Sequence, residues 1–260
     1  CQITFFGLEE SQDWFYRRRG AFRDALLATE RLLEAGIRPR WQLFLTTRLL
    51  PDLDGLLSLA DHLRLRERSA ALGGEFQLFM HTPGPDGEAM KIEHLRPTVE
   101  DLAQAPKWLI EQSERYLGHP LGASEAELAG SMLSDETTVP SAYGYPERLG
   151  FYVTADEDVF SNVGELAPWW RLGNLRHDAP GTIIANLEED RALGLWAMYH
   201  VPVSELAGQY GRRESRLLYD PGDLRARWLH LWCKERWGDR RAPEPGRQEE
   251  ERFHEPDEQP

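Results

Sequence analysis

The chain has 260 residues, with 30 lysines and arginines against 44 aspartates and glutamates, a net charge of −14 with histidine neutral. That acidic excess argues against a nucleic-acid or membrane-surface partner, and no apolar run approaches the roughly 18 residues of a membrane-spanning helix. Two cysteines, Cys1 and Cys233, provide neither a disulfide framework nor a metal–thiolate cluster, so a reducing cytoplasm is the default compartment.

Taken in order, the chain opens on a β-rich run, Gln2-Ile3-Thr4-Phe5-Phe6, that stops at Gly7. It starts in mid-strand with cysteine, which reads as a fragment lacking its preceding strands. A polar turn spans residues 9–13, and an aromatic and basic cluster follows, Trp14-Phe15-Tyr16-Arg17-Arg18-Arg19-Gly20. Phe22, Ala25, Leu26, Leu32 and Leu33 fall at helical spacing, with Gly36 as the residue past the helix end. Residues 41–47 form a second strand. A crossover helix between two strands makes them parallel and the connection right-handed. Pro51 opens a helix through Leu53, Leu56, Leu57, Ala60, Leu63 and Leu65 to Leu72, closed by Gly73-Gly74, and residues 75–80 are a third strand. The expected class is therefore α/β, a partial parallel (β/α) barrel.

Beyond a loop at 81–89, Thr98 with Asp101 signals a capped helix start, and Pro106 restarts the helix to Leu117. Ser124 with Glu127 caps a short helix to Met132. Gly144, Pro146 and Gly150 announce irregular structure. Residues 151–162 read as a strand, an acidic turn at Asp156-Glu157-Asp158 and a return strand. Trp169-Trp170-Arg171-Leu172-Gly173-Asn174-Leu175 and a helix over 181–187 follow. Short helices at 192–199 and 203–210, a turn at Asp220-Pro221-Gly222 and a strong helix over 224–237 complete the ordered part. Residues 239–260 carry almost no apolar residue and are expected to be disordered.

The opening stretch, QITFFGLEESQDW through RRRGAFRDALLATERLLEAGI to WQLFLTT, resembles the second half of the radical S-adenosylmethionine (radical SAM) barrel. Thr4, Gly7, Asp13, Arg19-Gly20 and Ala35-Gly36-Ile37 occupy the places of that pattern. Phe6 stands where an Asp is frequent, Gln12 where a His is frequent, and Tyr16 where an Arg is usual. The hairpin followed by Leu172-Gly173-Asn174-Leu175 resembles the SPASM or twitch auxiliary region of such proteins. Asn162 stands there in place of the cluster cysteine. The resemblance divides the chain into the C-terminal part of a barrel at 1–118, a small α+β auxiliary region without cluster cysteines at 119–238, and the tail at 239–260.

The resemblance also implies a chemistry. A reduced [4Fe–4S] cluster, held by a CxxxCxxC loop, cleaves S-adenosylmethionine and yields a radical that abstracts hydrogen from substrate, often a peptide or protein where auxiliary regions occur. That loop is not among these residues, so the chain alone is expected to be inactive and to bind no metal through cysteine. By the resemblance, Thr4 contacts a ribose of S-adenosylmethionine; as a plain strand residue it is β-branched and favoured there. Asp13 and Arg19 are offered to the cofactor's ribose or carboxylate, against a solvated charge run before a helix. Gln42 faces either the barrel interior, where it needs a partner, or the outside. His81 follows the third strand at the edge where barrels keep their chemistry, as a substrate contact or as a structural histidine. Two other readings stay open: a metal-dependent isomerase or hydrolase using His62, His81, Glu88 and His94, and a non-catalytic module that binds a peptide or protein through its tryptophans.

Overall fold

The computed structural model describes residues 1–84, 88–139, 151–161 and 166–237. The architecture is mixed α/β, with two compact units. The first gathers residues 1–128 and 212–224, and the second residues 129–211 and 225 onward. The expected boundary at 118 thus falls inside the first unit. The expected disordered tail, Asn162 and the stretch around Gly144, Pro146 and Gly150 lie outside the described residues.

The first unit is built on a three-stranded sheet, β1 (Gln2–Phe5), β2 (Arg40–Phe44) and β3 (Gln77–His81), in the order β1-β2-β3. Both pairings are parallel, with Thr4 opposite Gln42 and Gln42 opposite Phe79. Helices α1 (Glu9–Tyr16) and α2 (Ala21–Glu34) connect β1 to β2, and α3 (Leu53–His62) and α4 (Leu65–Ala71) connect β2 to β3. Side chains alternate along a strand. One face therefore presents Ile3, Phe5, Trp41, Leu43, Leu78 and Met80, which join Leu33, Leu53, Leu56 and Leu65 in the core. Trp41 is fully buried, and its indole N–H donates to Thr29 Oγ1 at 3.1 Å.

Two expectations change. Residues 9–16, read as a turn and a cluster, are helix α1. Leu8, Ser11, Gln12 and Phe15 sit at helical spacing, but the two buried ones, Ser11 and Gln12, are polar, which hid the inward face. The single helix expected from Pro51 to Leu72 is a short 3-10 turn (Leu50–Asp52) followed by α3 and α4. They are parted by Arg64 in the left-handed conformation at φ 53°. That break returns Leu65 to the core, where it is fully buried. Gly7 is demanded by its surroundings: φ is +143°, and a Cβ there would lie 2.5 Å from both Asp52 Oδ2 and Ser11 Cβ.

No closed barrel exists among the described residues, because side chains occupy both rims of the sheet. On the outer rim of β1, the Gln12 amide donates to Thr4 O at 3.0 Å and accepts from Phe6 N at 2.7 Å. These are the two bonds that one residue of a neighbouring parallel strand would make. On the outer rim of β3, α7 (Lys107–Leu117) does the same with two residues: Gln112 Nε2 donates to Leu78 O at 2.5 Å and Met80 N donates to Ser113 Oγ at 2.9 Å.

The remaining helices of this unit are α5 (Glu88–Lys91), a short 3-10 turn (Glu93–Leu95), and α6 (Val99–Leu102), opened by the expected capping box of Thr98 and Asp101. A two-residue antiparallel pair, β4 (Ala123–Ser124) with β8 (Leu218–Tyr219), was not foreseen. The expected reciprocal bonds of Ser124 and Glu127 open α8 (Glu125–Met132).

The second unit carries an antiparallel sheet of β5 (Phe151–Val153), β6 (Asp158–Ser161) and β7 (Arg171–Asn174). Around it run α9 (Pro180–Glu188), α10 (Leu193–His200), α11 (Val203–Tyr210) and the later turns of α12 (Pro221–Trp237). The LGNL run has a physical reason. Asn174 Nδ2 donates to Asp156 O and Asp158 Oδ1, both at 2.8 Å, while its Oδ1 accepts Arg176 N at 2.9 Å. One buried amide thus ties β7 to the hairpin turn. Gly194 lets α10 approach Trp170: a Cβ there would lie 2.6 Å from the indole.

Candidate functional site

The second face of the parallel sheet is polar at its centre. The register places Gln2, Arg40 and Gln77 in one row, Thr4, Gln42 and Phe79 in the next, and Phe44 and His81 in the last. Thr4 Oγ1 donates to Gln42 Oε1 at 3.0 Å, and Gln2 Nε2 donates to the same oxygen at 2.5 Å. Two donors on Oε1 fix the amide orientation and leave its N–H₂ as the outward-facing donor. Both Thr4 and Gln42 are partly buried. This hydroxyl–amide pair is the centre of the candidate site.

Aromatic rings rim the carboxyl ends of β1 and β2. Phe6 stacks on Phe15 at 4.4 Å and tilts against Phe44 at 4.8 Å, and Trp14 meets Phe15 edge-on at 4.9 Å. The Arg48 guanidinium lies over Trp14 at 4.4 Å. On the other side Phe79 is covered by Tyr116, stacked at 4.0 Å.

Asp13 caps the start of α2, and Arg19 immediately precedes the N-cap residue Gly20. Asp13 accepts from Gly20 N at 2.6 Å and from Phe22 N at 3.1 Å, serving as the cap that Gly20 has no side chain to provide. Burial would raise its carboxyl pKa. The amides of Gly20, Phe22 and Ala21 and the Arg18 charge outweigh that and hold it below its ordinary value. Its two oxygens are therefore engaged with backbone. Arg18 pairs with Asp24 at 2.6 Å, and Arg19 is exposed.

His81 closes the last row, at the carboxyl end of β3. Its Nδ1 is buried without a hydrogen-bond partner among the described residues. Burial pushes the imidazole below its ordinary pKa, against the Thr82 backbone and the Asp220 carboxylate; His119 and Arg96 add to the lowering. Sequence reasoning missed His119 and Asp220, which lie 3.2 Å apart, Nδ1 to Oδ2. Asp220 uses its other oxygen to accept Gly222 N and Asp223 N at the start of α12. No spacing in the chain signals this grouping, because the β4–β8 pairing that accompanies it comes from tertiary structure.

No family model matches this sequence, and no curated protein matches it. Among solved structures it is similar to native anSMEcpe with bound AdoMet and Kp18Cys peptide, at 10% identity and a TM-score of 0.43, over 90% of this chain and 67% of that one. Native anSMEcpe with bound AdoMet gives the same identity, TM-score and coverage of this chain, and 66% of its own length. The form with Cp18Cys peptide gives 11% identity, a TM-score of 0.43, and 90% and 67% coverage. The chain spans about two thirds of the length of these structures.

The groups on this face are hydrogen-bonding and aromatic, and are not metal ligands. An amide N–H₂ and a hydroxyl beside an aromatic rim suit a nucleoside. A cluster needs several thiolates, and the chain has Cys1, exposed, and Cys233, buried with its thiol pushed up to about 12 by burial. Among the described residues no three His, Cys, Asp or Glu side chains are grouped to hold a metal ion. His62 and His94 are exposed, on α3 and on the 3-10 turn that follows α5.

Proposed function

We propose that the chain is part of a radical SAM-type protein and that the polar face of its parallel sheet takes S-adenosylmethionine. The observation that carries this reading is the Thr4–Gln42 pair, in register on adjacent parallel strands and facing away from the apolar core. The sequence pattern from Gln2 to Thr47 supports it independently. In this reading Gln42 and Thr4 bind the ribose, Arg19 meets the methionine carboxylate, and Asp13 positions Arg19 by fixing the start of α2. His81, with an unpartnered ring nitrogen, faces the substrate, whose class is a peptide or protein. The 119–238 region serves as an auxiliary unit of SPASM type without a cluster. Any [4Fe–4S] cluster would need thiolates that these 260 residues do not provide, so no step through one is assigned to them.

Calorimetric titration of the full chain with S-adenosylmethionine tests the reading. Saturable binding is expected, weakened at least tenfold, about 1.4 kcal/mol, in Gln42→Leu and in Thr4→Val. Absence of binding at millimolar ligand, or wild-type affinity in both variants, would overturn it. Iron–sulfur reconstitution of the same chain is expected to leave no cysteine-ligated iron.

A further inference from the structure

At the amino-terminal end of β3, opposite the edge described above, lies a cleft of about 850 Å³ walled by α4, the 74–77 stretch and α7. Arg66 and Arg115 line it, with Gln77, Gln112 and Tyr116, and Glu75 is its one acidic lining residue. Two more arginines reach its wall. Arg40 donates to the Tyr116 hydroxyl at 2.5 Å, and the Arg38 guanidinium rests against Gly74, where no side chain stands in its way.

Many of the arginines are matched to carboxylates, as in Arg68 with Glu30, Arg171 with Asp158 and Arg212 with Glu93 and Glu125. None of Arg38, Arg40, Arg66 and Arg115 has an ion pair among the described residues. Arg66 lies over Trp108 at 5.3 Å and Arg40 over Tyr116 at 5.8 Å. An aromatic face orients a guanidinium without neutralising it, and leaves its N–H fork free for an oxyanion. Of the acids on α7, Glu111 pairs with Lys107 at 3.6 Å and Glu114 accepts Leu121 N at 3.3 Å, which leaves Glu75 as the acid within the cleft. In a chain of net charge −14, four unneutralised guanidiniums around one recess form a local positive field that steers anions to it.

We infer that this cleft is a binding site for a small polyanion bearing phosphate or carboxylate groups. The volume suits a small molecule, and the forked donors suit either oxyanion. The site is independent of the S-adenosylmethionine reading.

The test is calorimetric titration of the full chain with pyrophosphate and, separately, citrate, at low and at physiological ionic strength. Saturable binding of either probe is expected, weaker at the higher salt, at least tenfold weaker in the Arg66→Gln/Arg115→Gln double variant and tighter in Glu75→Gln. Preference for pyrophosphate assigns a phosphate ligand, and preference for citrate a carboxylate one. All three replaced side chains are exposed, and circular dichroism of the variants checks that the fold is kept. Failure of both probes to bind at millimolar concentration, or binding indifferent to the two arginines, overturns the inference.

Discussion

A single amide, that of Asn174, holds three partners from a buried position, so its removal breaks three hydrogen bonds at once, two of them between β7 and the hairpin. Asn174→Ala is expected to destabilise the second unit by about 2–3 kcal/mol, read as a lower denaturant midpoint of the tryptophan signal. His81 makes a pH-dependent contribution of the opposite kind to an ion pair. Its folded-state pKa lies below 6.5, so the unfolded chain takes up the proton more readily. The stability linked to neutral His81 is full above pH 6.5 and is lost as pH falls through the lower folded-state value. Melting temperatures of wild type are expected to fall across that interval, and those of His81→Gln to fall less. An imidazole resonance of His81 titrating at or above 6.5 would contradict this.

At the scale of elements, the parallel sheet depends on side chains that impersonate backbone. Ser113 is fully buried and accepts from Met80 N. Ser113→Ala leaves that N–H without its acceptor, and Gln12→Leu deprives Phe6 N of its acceptor and Thr4 O of its donor. Each is expected to cost about 1–3 kcal/mol, and amide hydrogen exchange at Met80 or Phe6 reports the site directly. These roles also show where sequence reasoning reaches its limit. β1, β2, β3 and α2 were legible because apolar periodicity and glycine stops are local signals. So were the capping boxes at Thr98 and Ser124, the hairpin at β5 and β6, and the α9 start after LGNL. Helix α1 was not legible, because its inward face carries Ser11 and Gln12, whose burial is repaid only by a strand edge that periodicity does not see. The pairing of Thr4 with Gln42 required the register of two strands. The grouping of His81 with His119 and Asp220 required the return of β8 to β4.

On the scale of the whole molecule, the two thiols report on different surroundings. Cys1 is exposed and Cys233 is buried, with its thiol pushed up to about 12. Alkylation at neutral pH is expected to modify one thiol rapidly and the second only as fast as the region around α12 opens. In denaturant both should react together. Fast modification of two thiols in the native chain would show that the packing around Trp228 and Trp232, both buried, is not maintained.

The occupied rims of the first sheet bear on how this protein fails when stressed. A strand whose outer hydrogen-bonding groups are already satisfied is a poor template for a second chain. β5 stands in contrast: Phe151, Tyr152 and Val153 are 49%, 56% and 54% exposed, on a strand that pairs only with β6 among the described residues. Aggregation on mild heating should therefore nucleate there, and a lysine in place of Tyr152 should delay turbidity more than any comparable change along β1 or β3.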